Sequence, residues 1–259
     1  MDLTFHYPAA ALSGMLIGLL LAVFGGGGSV LAAPMLIFFV GISNPHVAIG
    51  TSAAAVAVNA LMGLAVHARA GRVKWPCAMV FGAAGTTGAL MGAYLARQLD
   101  GGRLLLWFAV AMVVVGLSML RRPKTAGDPG VHLNPTLVAK LAPFGLATGF
   151  AAGFFGIGGG FFIVPSLMAA GGMTLAHAAA SSLVSVALFG ATTSASYATA
   201  RLLDWPVFAA LVAGGAIGVL AGIPVARSLA AHAVTARRIF AAMIIITAAY
   251  VAGRALIGL

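Results

Sequence analysis

The chain has 259 residues, of which 62% are hydrophobic and 7% are charged. Since about a quarter of the residues in a soluble domain are charged, this composition excludes a soluble protein and predicts an integral membrane protein. The apolar runs last about 20 residues, as spanning helices require, and the sequence lacks the alternating pattern of about ten residues that is typical of outer-membrane strands.

The formal net charge of the chain is +10. Lysine and arginine residues flank the apolar runs and form no tract, so we expect them to set the orientation in the membrane, and we expect no nucleic-acid partner. The chain has no glutamate, and its four aspartates, Asp2, Asp100, Asp128 and Asp204, lie at the N-terminus or between apolar runs. The predicted membrane core therefore contains no carboxylate.

Apolar elements are predicted in two groups of five, with a polar segment between them. The first group covers residues 9–24, 30–42, 46–67, 76–96 and 104–120, and the second covers 138–155, 161–172, 174–198, 206–226 and 236–257. This order predicts an all-α polytopic membrane protein built from two homologous repeats of about five helical elements each. The first repeat covers residues 1–121, a cytoplasmic connecting loop covers 122–137, and the second repeat covers 138–259.

A cluster of glycines separates the first two elements of each group. Gly25 to Gly28 are consecutive in the first group, and Gly156 and Gly158 to Gly160 stand at the matching place in the second. Each glycine costs a helix about 1 kcal/mol relative to alanine, so four in a row predict a break. Unwound backbone at the same place in both halves is typical of a transporter binding site. The alternative is close helix packing alone, which small residues permit.

Each break also predicts the sign of its ligand. The helix that begins after it, near Ser29 or Gly160, starts with unpaired amide groups, and these amides and the helix dipole favour an anion. Two such helix starts near mid-depth would form a positive pocket in a core without carboxylates. The candidate substrate-binding residues at the breaks are Gly25, Gly27, Gly28, Ser29, Gly156, Gly158, Gly159 and Gly160.

Further matches at an offset of 130 or 131 residues indicate an internal duplication. The tripeptide at 50–52 matches that at 180–182, and Trp75-Pro76 matches Trp205-Pro206. The first two elements have only 16 and 13 residues, so they form either a hairpin or two separate crossings. Either arrangement turns the second half of the chain upside down in the membrane relative to the first. If each broken element instead crosses the membrane once, the two halves are parallel. The positive-inside rule barely discriminates between parallel and inverted halves. The opposite charges of the matched Lys74 and Asp204 favour inverted halves.

Polar side chains follow the breaks along the chain. The hydroxyl groups of Thr51, Ser52, Ser181 and Ser182 are expected to bind substrate oxygens, unless they satisfy carbonyls of the preceding helical turn. Asn59 lies within an apolar run, where it either lines the substrate path or cross-links two helices.

Side chains near the helix ends are candidates for gating or coupling, namely His67, Arg69, Tyr197 and Arg201. Histidines carry protons in coupled transporters, although interfacial placement is the alternative. Arginines at a helix end either gather anions at a mouth or only set the orientation. No two histidines have metal-ligand spacing on one helix face, and no nucleophile has a plausible base. We therefore predict no metal, no cofactor and no enzymatic activity.

These motifs together resemble the TauE/SafE sulfite exporter family of membrane transporters over nearly the whole chain. The resemblance implies transport of sulfite, sulfoacetate or another organosulfonate across a bacterial inner membrane. By position, the motif of the family falls on Gly25, Gly27, Gly28, Pro34, Thr51 and Ser52, and on Gly156, Gly158, Gly159, Pro165, Ser181 and Ser182. The second half departs from the pattern at Ala180, where the first half has Gly50.

We therefore expect a multi-pass secondary transporter that alternates access around a site between the two halves. Its expected partners are the lipid bilayer, a small sulfur oxyanion, a coupling ion that is H⁺ or Na⁺, and a second copy of the chain. A passive anion channel and a non-transporting membrane subunit are the alternatives.

Overall fold

The computed structural model describes residues 3–99, 101–120, 127–128, 130–156, 160–230 and 233–256. Over these residues the protein is all-α, with no strand beyond an isolated bridge between Asp128 and Met173. The helices in chain order are α1 (Leu3–Phe24), a 3-10 turn (Gly25–Leu31), α2 (Ala32–Pro34), a π turn (Met35–Val40), α3 (Pro45–Arg69), α4 (Trp75–Ala96), α5 (Gly101–Leu120), α6 (Pro135–Phe155), α7 (Gly160–Gly171), α8 (Leu175–Thr199), α9 (Trp205–Ala230) and α10 (Ala233–Leu256).

Six helical segments of the described chain are long and apolar enough to cross a membrane. They are His6–Val40, Pro45–Arg69, Trp75–Ala96, Pro135–Phe155, Leu175–Thr199 and Trp205–Ala226. The prediction of an all-α polytopic membrane protein is therefore confirmed.

Local sequence explains where the long helices begin. The Asn44 side chain accepts a 2.9 Å hydrogen bond from the His46 amide at the start of α3. The Asn134 side chain likewise accepts a 2.7 Å bond from the Leu137 amide at the start of α6. A proline follows each asparagine, and proline suits the first helical position because it lacks an amide hydrogen. As a result α6 begins at Pro135, within the segment that the sequence analysis assigned to the connecting loop.

Helices of the first half pack mainly on helices of the second. Along the crossing of α1 and α9, a Cβ added at Gly14 would collide with the Leu211 carbonyl, and one at Gly18 with the Gly215 carbonyl. Because both sequence numbers rise together, α1 and α9 run in the same direction. The absence of side chains lets the two backbones approach closely, as in many membrane helix pairs.

The crossing of α4 and α6 repeats this arrangement. A Cβ at Gly145 would meet the backbone of Phe81, and one at Gly149 would collide with the backbone of Gly85. These four positions match those of the α1–α9 crossing at offsets of 130 and 131 residues. The duplicated glycines thus make equivalent contacts in two places.

The matched helices α3 and α8 pack against each other at the centre of the fold. A Cβ at Gly50 would lie 2.8 Å from Tyr197 Cβ, whereas one at Gly63 would lie 3.4 Å from the Leu183 side chain. The numbers rise along one helix as they fall along the other, so α3 and α8 are antiparallel. The start of α3 therefore lies beside the end of α8.

The segment between α1 and α3 folds back along α1. His67, near the end of α3, lies 3.0 Å from the carbonyl oxygen of Ala22, near the end of α1. The two helices therefore run in the same direction, and residues 25–44 return the chain to the end of the fold where α3 begins. Gly28 packs directly against the backbone of Leu20 and Leu21, which places the reversal at the glycines.

Candidate functional site

The first glycine turn, Gly25–Leu31, differs from the unwound backbone that the sequence predicts. It is a 3-10 helix in which the four glycines and Ser29 are buried. Gly25 has φ +61°, in the left-handed region that favours glycine. Buried backbone groups must stay hydrogen-bonded, so the chain reverses through a tightened helix and avoids an open loop.

Each glycine of this turn is in close contact with another segment. A Cβ at Gly25 would collide with the Ala179 carbonyl, and one at Gly27 would collide with the ring of Phe240. A Cβ at Gly26 would lie 2.5 Å from the Val186 side chain. Side chains are therefore excluded here because α8 and α10 already occupy the space.

The two glycine clusters touch each other beside the middle of α8. A Cβ at Gly160, the first residue of α7, would collide with the carbonyl oxygen of Gly26. The Gly160 amide donates a 3.3 Å hydrogen bond to Ser29 Oγ, and the Gly26 amide donates a 2.9 Å bond to Ser182 Oγ. Two of the amides that the sequence predicts to bind an anion therefore donate to serine hydroxyls instead.

Each of the two serine hydroxyls both donates and accepts a hydrogen bond. Ser29 Oγ donates 2.9 Å to the Gly26 carbonyl, and Ser182 Oγ donates 2.7 Å to the Ala179 carbonyl. A hydroxyl has one hydrogen to donate, so each serine spends it on a carbonyl while accepting from a glycine amide. We name the four residues Gly26, Ser29, Gly160 and Ser182 the serine–glycine latch.

The second cluster begins with Gly156, which ends α6. Its φ is +66°, and a Cβ there would collide with the Ile49 side chain. Ile49 matches Ala179, the residue against which Gly25 packs, so the two clusters contact equivalent places on α3 and α8. Gly158 and Gly159 lie outside the described residues.

Thr51 and Ser181 connect the two halves. Thr51 Oγ1 accepts a 2.9 Å bond from the amide of Asp204, and Ser181 Oγ accepts a 2.9 Å bond from the amide of Lys74. Each hydroxyl therefore holds the residue before a Trp-Pro helix start of the opposite half. Ser52 Oγ instead donates 3.1 Å to the carbonyl of Ile49, in its own helix.

Asn59 lies away from the latch, at the contact of α3 with α9. Its Nδ2 donates to the Leu211 carbonyl at 3.5 Å, and its side chain fills the space beside Gly215. The oxygen Oδ1 is buried with no hydrogen-bond partner among the described residues. In the structure the Asn59 side chain therefore connects α3 with α9.

The candidate gating residues lie at opposite ends of the molecule. His67 is buried near the end of α3, and Arg69 is exposed in the last turn of the same helix. Tyr197 matches His67 in the duplication but lies near the end of α8, beside the start of α3. Arg201 is exposed and has φ +56°, where the first half has Gly71 with φ +66°.

Both ends carry positive charge. At the end with His67, the charges of Arg72 and Lys74 act on His177. At the other end, the Arg97 guanidinium donates 2.8 Å to the Ser196 carbonyl. The Asp204 carboxylate accepts a 3.1 Å bond from the Val207 amide. Arg72 and Lys74 at one end and Arg97 at the other are positively charged and attract an approaching anion.

Sequence reasoning did not single out Val186 and Phe240, which enclose the first glycine turn. Both are apolar residues inside long apolar helices, so no local signal distinguishes them. Their role follows only from how α8 and α10 pack on the turn.

A family model described as sulfite exporter TauE/SafE matches residues 10–251. The chain belongs to the TauE/SafE sulfite exporter family. A probable membrane transporter protein of Xylella fastidiosa (strain Temecula1) is 43% identical over 243 residues, which is 93% of both chains. The probable membrane transporter protein YunE of Bacillus subtilis is 25% identical over 239 residues, covering 83% of this chain and 87% of YunE. No solved structure gave a significant match.

This membership, with the six candidate spans, makes the protein a multi-pass membrane transporter of the TauE/SafE family. The predicted family is thus confirmed over nearly the whole chain.

Proposed function

We propose that this TauE/SafE protein is a secondary transporter that moves a small sulfur oxyanion across a bacterial inner membrane. The observation that carries the proposal is the serine–glycine latch. The backbone amides of Gly26 and Gly160, one from each half of the chain, each donate a hydrogen bond to a neutral serine hydroxyl of the other half. An oxyanion accepts stronger, charge-assisted hydrogen bonds from amides, so it can displace the serines.

The closed latch corresponds to an occluded state in this proposal. Gly160 lies against the Gly26 carbonyl, and the glycines of the first turn are buried, so an anion enters only after the clusters separate. Separation toward one end and then the other gives alternating access. The substrate then contacts the amides of Gly26 and Gly160 in place of the two serine hydroxyls.

We also propose that the halves are inverted repeats with a glycine-centred hairpin in each. The antiparallel course of the matched helices α3 and α8 supports this arrangement. The bonds of Thr51 with Asp204 and of Ser181 with Lys74 also support it. Thr51 matches Ser181 and Lys74 matches Asp204, so the two bonds are equivalent under the duplication. Inverted repeats around a central site are common in secondary transporters.

The proposed substrates are sulfite, sulfoacetate and other organosulfonates. The family description names a sulfite exporter, and the basic residues at both ends suit any small anion. The coupling ion is proposed as H⁺ or Na⁺, and the assembly as a homodimer.

The test is uptake of radiolabelled sulfite and of sulfoacetate into proteoliposomes. We expect saturable uptake that depends on the protein and is accelerated by unlabelled substrate on the opposite side. Conduction without saturation or exchange would identify a passive channel instead. A protein that moves no sulfur oxyanion in either direction would contradict the substrate proposal.

The matched variants for this assay are Gly26→Ala and Gly253→Ala. The first places a methyl group against Val186 and Gly160, whereas nothing lies within 4 Å of a Cβ at Gly253 in α10. We expect uptake to be lost in the first variant and retained in the second.

A further inference from the structure

Tyr197 is the largest fully buried side chain of the described residues, and its hydroxyl has no hydrogen-bond partner among them. Nδ1 of His46 and Nε of Arg97, at the same end of the fold, are also among the buried polar atoms of the described residues that have no partner. A buried polar group without a partner costs about 1–3 kcal/mol, so such groups require an explanation.

These three residues form one cluster, which we name the Tyr197 cluster. The ring centroids of His46 and Tyr197 are 6.2 Å apart. The guanidinium of Arg97 donates to the carbonyl of Ser196, the neighbour of Tyr197, at 2.8 Å. The cluster therefore joins the start of α3, the end of α8 and the residue that follows α4.

The matched position in the other half shows that a satisfied alternative exists. His67 occupies the place of Tyr197 and lies 3.0 Å from the Ala22 carbonyl. Of this matched pair, His67 therefore has a partner and the Tyr197 hydroxyl has none among the described residues, whereas Nδ1 is without a partner in both of the matched histidines, His46 and His177. His67 and Tyr197 both lie near the end of a helix of the α3–α8 pair. They differ in the side chain itself and in the residues that surround it.

The chemistry of the Tyr197 cluster is that of hydrogen-bond donors around a positive charge. Arg97 Nε–H and the Tyr197 hydroxyl donate, and His46 Nδ1 donates when its neutral ring carries the proton there. Among the described residues at this end, the carboxylate of Asp204 accepts a hydrogen bond from the amide of Val207. A set of donors beside a fixed cation suits a small oxyanion.

We infer that the Tyr197 cluster binds a small oxyanion of the sulfite and sulfonate class, at a site separate from the serine–glycine latch. This inference rests on the proposed function for its biological meaning, since the site would load the transported anion from one side. The binding itself does not require transport.

Calorimetric titration of the purified protein with methanesulfonate, in a neutral detergent free of anionic lipid, tests the site. Tyr197→Phe removes the hydroxyl and keeps the ring, and we expect it to weaken binding about tenfold. Arg97→Gln should weaken it at least as much. The matched control is Tyr94→Phe, because Tyr94 is 63% exposed in α4, and this variant should bind like the parent. Equal affinity of the Tyr197→Phe variant and the parent would overturn the site.

The same titration in a Gly26→Ala background separates this site from the proposed function, because that variant disrupts the latch. Methanesulfonate binding that persists there and still falls with Tyr197→Phe supports the cluster, even if the protein transports no sulfur oxyanion. Binding that persists and does not respond to Tyr197→Phe overturns it. If Gly26→Ala does not fold, Ser29→Ala replaces it as the background.

A second readout separates loading from structural effects. In proteoliposomes, Tyr197→Phe should raise KM for the anion presented at the Tyr197 end and leave the maximal rate and the KM from the other end unchanged. An equal change from both ends would contradict a loading site.

Discussion

The amide of Gly26 donates a 2.9 Å hydrogen bond to the hydroxyl of Ser182, which lies 156 residues further along the chain. The bond connects the turn after α1 to the helix α8 of the other half. A neutral side chain therefore occupies a backbone amide that the sequence predicts to bind an anion.

Ser182→Ala should increase the apparent affinity for the transported anion about fivefold. If the serine competes with substrate for the Gly26 amide, removing a net contribution of about 1 kcal/mol favours the anion by that factor. The control is Ser194→Ala in the same helix, where the hydroxyl donates only to the local Ala191 carbonyl. KM in proteoliposomes is the measurement. A rise in KM would indicate that Ser182 contacts the substrate directly, as the sequence analysis expected.

Gly160→Ala should reduce uptake by at least tenfold. The added methyl group would collide with the Gly26 carbonyl, and backbone cannot rotate away as a side chain does. Gly253→Ala, a glycine with open space around it, should leave uptake unchanged. Size-exclusion profiles of both variants show whether the protein still folds. Full uptake by a folded Gly160→Ala protein would contradict close contact between the clusters during transport.

Thr51→Val should lower the free energy of unfolding by about 1–2 kcal/mol, because it leaves the Asp204 amide without its acceptor. Ser181→Ala should act similarly at Lys74, and the double variant should be nearly additive, since the two bonds share no partner. Thr87→Val is the control, because its hydroxyl bonds within its own helix and is exposed. Melting temperatures in detergent provide the comparison. Strongly non-additive losses would mean that the two ends are coupled.

Single cysteines at Arg69 and Thr199 should react from opposite sides of the membrane. The two positions match in the duplication and are exposed at the ends of the antiparallel helices α3 and α8. The labelling uses a membrane-impermeant maleimide on intact cells and on inverted vesicles. Cys77→Ala provides the background, because Cys77 is the sole cysteine of the chain. Labelling of both positions from the same side would exclude inverted halves.

The helical elements could be predicted from sequence because each depends on local pattern. Apolar runs between Trp75-Pro76 and residue 96, or from 174 to 198, lie within a residue or two of α4 and α8. Asn134 and Pro135 fix the start of α6 through a local cap, which hydropathy alone placed three residues late.

The glycine clusters illustrate where prediction from sequence ends. Four glycines in a row predict a break in the helix, but the choice between a loop and the buried 3-10 turn that the structure has there depends on burial. From the sequence, the hydroxyls of Thr51 and Ser181 either bind substrate or form hydrogen bonds with the backbone. The structure gives them backbone partners more than 100 residues away, which no local pattern encodes.

By itself, the sequence determined that the protein is a helical membrane protein and that it resembles the TauE/SafE family, and it predicts an internal duplication. Those properties follow from composition, hydrophobic run length and repeated spacing, all of which act along the chain. Only the tertiary structure decided that the amides of Gly26 and Gly160 meet serine hydroxyls, and that Tyr197 is buried without a partner. These contacts arise from the packing of α1 on α9 and of α3 on α8, where close backbone approach between distant segments determines which polar groups find a partner.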